Sequence, residues 1–418
     1  MAAPPSERTP AKPEAISPPR SPSAAASIPS SEPTFDEGTY QRLKEALLSY
    51  SAIEVRGGWP QLPADSKLSP GASGAGIALL RRRLAITDDL PIDKEKGEAY
   101  DDVVVDAVKR FQLRHGLEAT GSVGPQTLAA LNVPVAKRLQ QLRASLERLV
   151  GMDFRFGERY IVVNIPAAYT EAIANNKVER RHVVIVGKAD RPSPTLTALI
   201  TSVNLNPTWT VPLSITKNEV IPKMHKDPGY LARMHMRVLG QNDTEIDPRS
   251  VDWSSIRSPN FSIRQDSGTW NALGAVRIDM PNPYAVYMHD TNARHLFTAN
   301  YRFLSHGCTR VDNVRDLAAW VLQDTAGWGR AEIDKAIAAG QRTDIRLTRK
   351  IPVAWVYLTG WMTASGIVQF RDDVYKRDDN PASAATNESE LVMAANAGGF
   401  VRPRTTRDVK QISNLDSR

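Results

Sequence analysis

The stretch Ser305-His306-Gly307-Cys308-Thr309-Arg310 decides the fold, and it contains the only cysteine of the 418-residue chain. A histidine, His289, lies upstream within Tyr287-Met288-His289-Asp290-Thr291. A lone cysteine cannot form an internal disulfide, and with a small residue, a histidine and a cation around it the pattern is typical of a nucleophile. Taken alone, a free cysteine is more often a small buried hydrophobic residue. The interpretation therefore depends on the rest of the sequence.

Nucleophilic chemistry at Cys308 needs a nearby base or cation, because a free thiol has a pKa of about 8.5 and is mostly protonated at neutral pH. His289 ends a predicted strand and Cys308 follows a loop, an arrangement that can bring both side chains into hydrogen-bond reach. Gly307 permits a tight turn, whose N–H groups could face a developing oxyanion. Arg310 could bind a substrate carboxylate or help to hold the thiolate.

Composition indicates a soluble globular protein of two or three folded units. Hydrophobic residues make up 41% and charged residues 24% of the chain, and no apolar run is long enough to cross a bilayer. The net charge is +7, with basic residues spread among acidic ones. This distribution disfavours a nucleic-acid-binding stripe and leaves an anionic polymer or surface as a partner class.

Both ends of the chain have compositions that cannot bury a core. Residues 1–33 are rich in proline, alanine and serine, and residues 379–418 are polar, so we expect a disordered N-terminal tail and a frayed C-terminal tail. The N-terminal tail lacks the apolar core of a signal peptide. We expect either a cytosolic protein or one whose signal has been removed, and composition does not choose between them.

Helical periodicity dominates the first part of the chain. Residues 34–67 predict an amphipathic helix that packs on the domain containing Cys308, followed by a break at Gly57-Gly58-Trp59-Pro60. Residues 68–133 predict a compact three-helix unit, in which Pro125 starts the third helix. Residues 134–157 predict a connector helix.

From Tyr160 onward the hydrophobic period becomes that of strands. Short β-branched or aromatic runs bounded by turn residues occur at 161–165, 182–186, 198–205, 284–288, 351–358 and 367–370. Residues 314–323 predict a helix after the cysteine. The predicted fold class is therefore α+β, with a mainly β domain over residues 158–378 that follows the small helical unit.

The helical unit resembles the three-helix peptidoglycan-binding domain. The resemblance is carried by Val108-Lys109-Arg110-Phe111-Gln112-Leu113-Arg114-His115-Gly116-Leu117 and by Thr120-Gly121-Ser122-Val123-Gly124-Pro125-Gln126-Thr127-Leu128. Phe111 and the leucines are core residues in any reading. A binding role follows from the resemblance alone, and the alternative is a spacer.

The two stretches around Cys308 and His289 closely resemble the YkuD-type L,D-transpeptidases. Asn206-Pro207-Thr208-Trp209-Thr210-Val211-Pro212 and the stretch 268–277 resemble segments of the long, YcbB-type subgroup. The resemblance spans about 36–376. It implies a YkuD-like domain in which residues of about 209–270 form a lid over the active site; the alternative for this segment is an ordinary surface insertion.

The resemblance also implies roles for particular residues. Cys308 would be the nucleophile, and His289 its general base and later the acid to the leaving amine. The backbone around His306, Gly307 and Cys308 would form the oxyanion hole. In the family a third group, often a backbone carbonyl, orients the histidine, so this role is not assigned to the Asp290 carboxylate. The residues expected at the substrate are Arg310, Tyr287, Trp209, Asn271 and Ser305.

The implied reaction is a two-step acyl transfer on peptidoglycan. The thiol attacks the carbonyl between an L-centre and a D-residue of a tetrapeptide stem, D-alanine leaves, and an amine of a second stem attacks the thioester to give a 3→3 cross-link. No metal or organic cofactor is expected, since the nucleophile, the base and the oxyanion donors are protein groups. The resemblance further implies acylation by carbapenems and a place in the bacterial cell envelope, in the periplasm.

The sequence leaves alternatives open. The acceptor could be a stem amine, a D-amino acid, an outer-membrane protein, or water in an L,D-carboxypeptidase. A non-catalytic wall-binding protein is the alternative of a different class, although such a protein should lose the cysteine or the histidine. A zinc peptidase is disfavoured, because the chain has no His-Glu-x-x-His or His-x-His motif.

Overall fold

Most of the β-branched runs assemble into one sheet in the computed structural model, which describes residues 31–64, 67–256, 259–299 and 301–379. The strands of this sheet are β1 (Arg159–Asn164), β2 (Tyr169–Ala174), β3 (Lys177–Gly187), β4 (Leu196–Leu205), β9 (Val276–Asp279), β10 (Met288–His289), β11 (Phe303–Ser305), β12 (Thr309–Val311) and β13 (Thr343–Val356). Their order is β11-β3-β12-β10-β9-β4-β13-β1-β2, and β2 pairs again with β3, so the sheet closes on itself. The pairs β1–β13, β10–β12 and β11–β3 are parallel.

Strand alternation divides the side chains of this sheet between two cores. On β1, Ile161 and Val163 belong to an inner core that also contains one face of α9 (Val314–Leu322). Tyr160 and Val162 point the other way, into an outer core covered by helices from the N-terminal part. Burial on both faces explains why β1 is an almost continuous apolar run. Another helix, α10 (Arg330–Ala338), follows α9.

The N-terminal part is helical, as the sequence predicts. Its helices are α1 (Thr39–Val55), α2 (Ala75–Ala85), α3 (Asp102–Arg114), α4 (Pro125–Leu131) and α5 (Val135–Leu149). Helices α1 and α5 pack on the outer core of the sheet, whereas α2, α3 and α4 surround a core of their own. The side chain of Asp101 caps α3 by accepting from the Val104 N–H at 3.1 Å, which helps to fix where that helix begins.

The three-helix unit contacts a hairpin formed by β14 (Gly360–Met362) and β15 (Val368–Phe370). The Arg371 guanidinium donates to the main-chain oxygen of Arg114 at 3.1 Å. The His115 ring stacks on Phe370 with 5.7 Å between centroids. This face of the unit is therefore occupied by the β domain.

The predicted lid folds as a separate small layer with its own apolar core. Its sheet has the order β5-β8-β6-β7. The strands are β5 (Trp209–Thr210), β6 (Met236–Leu239), β7 (Glu245–Ile246) and β8 (Ser262–Gln265), and the helices are α6 (Leu213–Ile215), a π-helical turn (Thr216–Val220), α7 (Ile221–Lys226) and α8 (Tyr230–Arg233). Trp209 pairs with Gln265, so the two ends of the segment meet.

The predicted fold class is confirmed, with local differences. The run 284–288 was expected to be a strand, but β10 contains Met288 and His289 only. The cause is Asn282, whose side-chain oxygen accepts from the main-chain N–H groups of Tyr284 and Val286 and so favours a turn.

Only a small part of each predicted tail lies within the described residues. Of the predicted N-terminal tail, residues 1–30 lie outside the described residues, while Ser31 accepts at 2.8 Å from the Val178 N–H of β3 and is therefore docked. The predicted C-terminal tail lies outside them from residue 380. Within the described residues, no helix has the length and apolar character that a bilayer crossing requires.

Candidate active site

The register of two neighbouring strands places His289 beside Arg310, two residues after Cys308. In the parallel pair β10–β12, Met288 lies beside Thr309 and His289 beside Arg310. Met288 and Thr309 are fully buried. Because side chains alternate along strands, His289 and Arg310 share the opposite face. Cys308 immediately precedes β12, and the positive charges of Arg310 and Arg277 act on both His289 and Cys308.

His289 has a defined tautomer. Its Nδ1 atom lies 2.5 Å from the main-chain oxygen of Asp290, and since a carbonyl only accepts, Nδ1 carries the hydrogen. The lone pair is therefore on Nε2. Burial lowers the pKa of His289 to about 3, and the positive charge of Arg310 contributes in the same direction. The imidazole is thus neutral at physiological pH and able to accept a proton.

The Asp290 side chain is engaged elsewhere. Its carboxylate accepts from the Ala275 N–H at 3.0 Å and pairs with Arg294 at 2.9 Å. Asp290 therefore orients His289 through its main-chain carbonyl, in agreement with the expectation that the carboxylate does not do so.

Cys308 is held as a thiol. Burial raises its pKa to about 11, whereas hydrogen bonds with Tyr287 and the charges of Arg277 and Arg310 oppose the shift without overcoming it. With His289 neutral as well, the resting pair is thiol and imidazole. The arrangement suits a proton transfer during attack more than a preformed thiolate–imidazolium pair.

Arg277 is a member of this site that the sequence interpretation missed. Arg277 lies in β9, where it pairs with His289 of β10 on one side and with Asn204 of β4 on the other. Its guanidinium is 5.1 Å from the centre of the Tyr287 ring. The sequence signal for Arg277 was a charged residue at an alternate position of a short strand. Only the strand register shows that this residue lies opposite His289.

Glycine permits the backbone conformation of residues 305–308, the predicted nucleophile turn. Gly307 has φ +111°. Its N–H donates to the Ser305 hydroxyl at 3.2 Å, and that hydroxyl donates to the Cys308 oxygen at 2.5 Å. Among the described residues, the Cys308 N–H has no hydrogen-bond partner. It is the main-chain donor next to the thiol that could stabilise an oxyanion.

His306 points toward the predicted lid. Its Nε2 atom lies 2.5 Å from the carboxylate of Glu219, which also pairs with Arg191 at 3.6 Å. Burial lowers the pKa of His306, while Glu219 opposes that shift. The side chain therefore connects the nucleophile turn to the lid segment, and it is the main chain of this turn that adjoins Cys308.

The remaining predicted substrate residues fall into two groups. Tyr287 lies in the site, with its ring 5.6 Å from that of His289, and interacts with Trp209. Asn271 and Ser305 are buried and bonded internally. Asn271 donates to the main-chain oxygens of Pro207 and Asp266 at 3.2 and 2.8 Å, and so ties together the two ends of the lid segment. The structure gives Asn271 and Ser305 positioning contacts and not substrate-facing surfaces.

Comparisons with known proteins agree with this architecture. Residues 158–335 match the YkuD family, described as the L,D-transpeptidase catalytic domain. Residues 73–131 match a family described as "Putative peptidoglycan binding domain". Residues 158–335 are therefore a YkuD-type L,D-transpeptidase catalytic domain, and residues 73–131 are a domain of the peptidoglycan-binding type.

Individual relatives are more distant. A "Putative L,D-transpeptidase" of Haemophilus influenzae is 32% identical over 260 residues, which cover 60% of this chain and 52% of the relative. The chain thus spans about half the length of that curated relative. An L,D-transpeptidase from Stackebrandtia nassauensis is 12% identical over 71% of this chain and 96% of its own, with a TM-score of 0.26. Another, from Xylanimonas cellulosilytica, is 15% identical over 70% and 98%, with a TM-score of 0.23. These two similarities add nothing to the family match.

Proposed function

We propose that this protein is an L,D-transpeptidase that forms 3→3 cross-links in peptidoglycan. The observation that carries the proposal is that His289, at the end of β10, and Cys308, immediately before the parallel strand β12, both lie close enough to Arg277 and Arg310 for those charges to act on them, with the lone pair of His289 on Nε2. A thiol, a neutral base and a main-chain N–H without a partner among the described residues are the three groups that acyl transfer through a thioester requires.

In the first step, the Cys308 sulfur attacks the carbonyl that precedes the terminal D-alanine of a tetrapeptide stem. The thiol proton passes to Nε2 of His289, and the Cys308 N–H stabilises the oxyanion. The C–N bond breaks, the imidazolium gives its proton to the departing amine, and D-alanine leaves. A thioester remains on Cys308.

In the second step, an amine of another stem attacks the thioester carbonyl. His289 accepts a proton from this amine and passes it to the departing thiolate, so the resting thiol and imidazole return. The lid segment, joined to the nucleophile turn through Glu219 and His306, would limit access of water, which competes with the amine.

We place the reaction in the bacterial cell envelope, in the periplasm, where the polymer lies. The peptidoglycan-binding domain would hold the enzyme on the wall, and carbapenems would acylate the same thiol. In the alternative reaction, an amine of an outer-membrane protein would attack the same thioester, and that protein would become attached to the stem.

The test is incubation with a purified disaccharide-tetrapeptide, followed by mass analysis of products and of the intact protein. The proposal expects a cross-linked dimer, released D-alanine and an acyl adduct on Cys308. Cys308→Ala should lose the adduct and lower turnover at least about 10³-fold, with circular dichroism and sacculus pull-down unchanged. Trimmed tripeptide without dimer would identify a carboxypeptidase, and undiminished turnover in Cys308→Ala would refute the mechanism.

A further inference from the structure

The loop between β3 and β4 contacts the nucleophile turn through one buried serine. Ser193 is fully buried, and its hydroxyl donates to the main-chain oxygen of Gly307 at 2.8 Å. The same hydroxyl accepts from the Gly187 N–H at 2.9 Å. Both hydrogen-bonding functions of Ser193 are therefore used, and one of them acts on the peptide that joins Gly307 to Cys308.

That contact determines where the oxyanion donor points. In a planar trans peptide, the C=O and the following N–H point in opposite directions. Holding the Gly307 oxygen against Ser193 therefore turns the Cys308 N–H away from Ser193, toward the side on which it has no partner among the described residues. Glycine has wide conformational freedom, so without the tether this peptide could rotate and remove the donor from the site.

Ser193 is itself held by a residue from the far end of the β domain. Its N–H donates to the Tyr375 hydroxyl at 3.2 Å, and that hydroxyl donates to the Gly187 oxygen at 2.5 Å. The Tyr375 ring stacks on Tyr357 at 5.3 Å between centroids. Tyr375 lies beyond residues 158–335, the part that matches the catalytic-domain family.

We propose that Ser193 is a positioning residue for acyl transfer, holding the Gly307–Cys308 peptide so that the Cys308 N–H faces the oxyanion, and that Tyr375 fixes Ser193 in this role. The inference rests on the proposed function, because it assigns a task within that reaction. It also extends the functional unit to the segment after β15.

The test separates acylation from simple thiol reactivity. Alkylation by iodoacetamide displaces iodide from carbon and forms no oxyanion, whereas p-nitrophenyl acetate acylates the thiol through a tetrahedral oxyanion and needs no stem recognition. Ser193→Ala should slow acylation of Cys308 about tenfold to a hundredfold, less than the roughly 100-fold to 1,000-fold loss seen when an oxyanion donor is removed outright. Its alkylation rate should stay within twofold of wild type.

Three further variants make the comparison specific. Ser193→Thr keeps the hydroxyl and should restore most of the acylation rate. Tyr375→Phe keeps the ring, loses the hydroxyl and should show a smaller loss in the same direction, which also tests the inference if Ser193→Ala folds poorly. Ser145→Ala is the control, because Ser145 is equally buried and accepts two main-chain N–H bonds, at 3.2 and 3.1 Å, far along the chain from the turn.

The outcomes are distinct. Equal losses of acylation and alkylation in Ser193→Ala, or no loss of acylation in both Ser193→Ala and Tyr375→Phe, would overturn the inference. With the tetrapeptide, Ser193→Ala should lower kcat with little change in KM. If wild-type protein acetylates Cys308 from p-nitrophenyl acetate but does not turn over the tetrapeptide, the proposed function fails, while the ester comparison still decides the role of Ser193.

Discussion

The Nδ1 atom of His289 lies 2.5 Å from the main-chain oxygen of Asp290, the next residue in the chain. This carbonyl is held in place because the Asp290 N–H donates to the Val276 oxygen at 2.8 Å and its carboxylate accepts from the Ala275 N–H at 3.0 Å. The imidazole therefore has one tautomer, with its lone pair on Nε2.

The pH dependence of the reaction should be flat around neutrality. The pKa of His289 is lowered to about 3 and that of Cys308 is raised to about 11, so both groups are neutral between these values. We expect kcat/KM for p-nitrophenyl acetate to vary less than threefold from pH 5.5 to 8.5 after correction for ester hydrolysis. Inflections near 6.5 and 8.5, the ordinary pKa values of the two groups, would contradict the neutral pair.

The same shift makes His289 a source of acid sensitivity. The folded protein keeps this imidazole neutral, whereas the unfolded chain binds a proton below pH 6.5, so stability falls as the pH drops from 6.5 toward 3. At about 1.4 kcal/mol per pH unit, the loss is roughly 3 kcal/mol by pH 4. The free energy of unfolding can be measured with urea at pH 7 and at pH 4. Its decrease between the two pH values should be smaller in His289→Gln than in wild type, by about that amount. An equal pH effect in both proteins would exclude a buried neutral imidazole.

The cation beside the dyad should tune the thiol. Arg310 opposes the raised pKa of Cys308, so removing its charge should raise that pKa further. Arg310→Met should slow iodoacetamide alkylation at pH 8 roughly threefold to tenfold, since an opposite charge nearby favours the ionised form. Arg310→Lys keeps the charge and is the matched control. A rate unchanged in Arg310→Met would mean that the guanidinium does not act on the sulfur.

Space around Asp290 should be limiting. Gly274 has φ +58°, and a Cβ added there would lie 2.5 Å from the carboxyl carbon of Asp290. Gly274→Ala should lower the free energy of unfolding by roughly 3 kcal/mol through strain and crowding together and should reduce turnover by displacing His289. Gly327→Ala is the control, because Gly327 has φ +80° with nothing within 4 Å. It should lose about 1 kcal/mol from strain alone, and equal losses would argue against crowding.

The contact between Glu219 of the predicted lid and His306 should be weak but measurable. Glu219 and His306 are both about one-third exposed, with side-chain accessibilities of 32% and 29%, and a pair of this kind contributes up to about 1 kcal/mol. Glu219→Ala should therefore speed hydrogen exchange over residues 213–226 by about twofold to fivefold. Arg249→Ala removes an exposed pair with Asp247 elsewhere in the lid and should not. Unchanged exchange in Glu219→Ala would mean that this contact does not hold the segment.

Local sequence signals predicted the elements whose boundaries are set by neighbouring residues. Helix α4 was predicted and found at Pro125–Leu131, because proline favours the first turn of a helix. The strand expected at 284–288 was too long, because the side chain of Asn282 competes for main-chain N–H groups. A side chain that accepts hydrogen bonds from main-chain N–H groups two and four residues ahead is harder to foresee from the sequence than a helix or strand with a regular hydrophobic period.

The sequence by itself determined the candidate catalytic pair and the domain order: one thiol in a glycine turn, one histidine at a strand end, and helices before strands. Tertiary structure decided what surrounds that pair. Arg277 meets His289 only through strand register, and Ser193 meets Gly307 across 114 positions of the chain. A motif records neighbours along the chain, whereas register and loop packing are set by the burial of whole strands. Through that packing Arg277 and Arg310 act on both Cys308 and His289, and Ser193 bonds the peptide between Gly307 and Cys308.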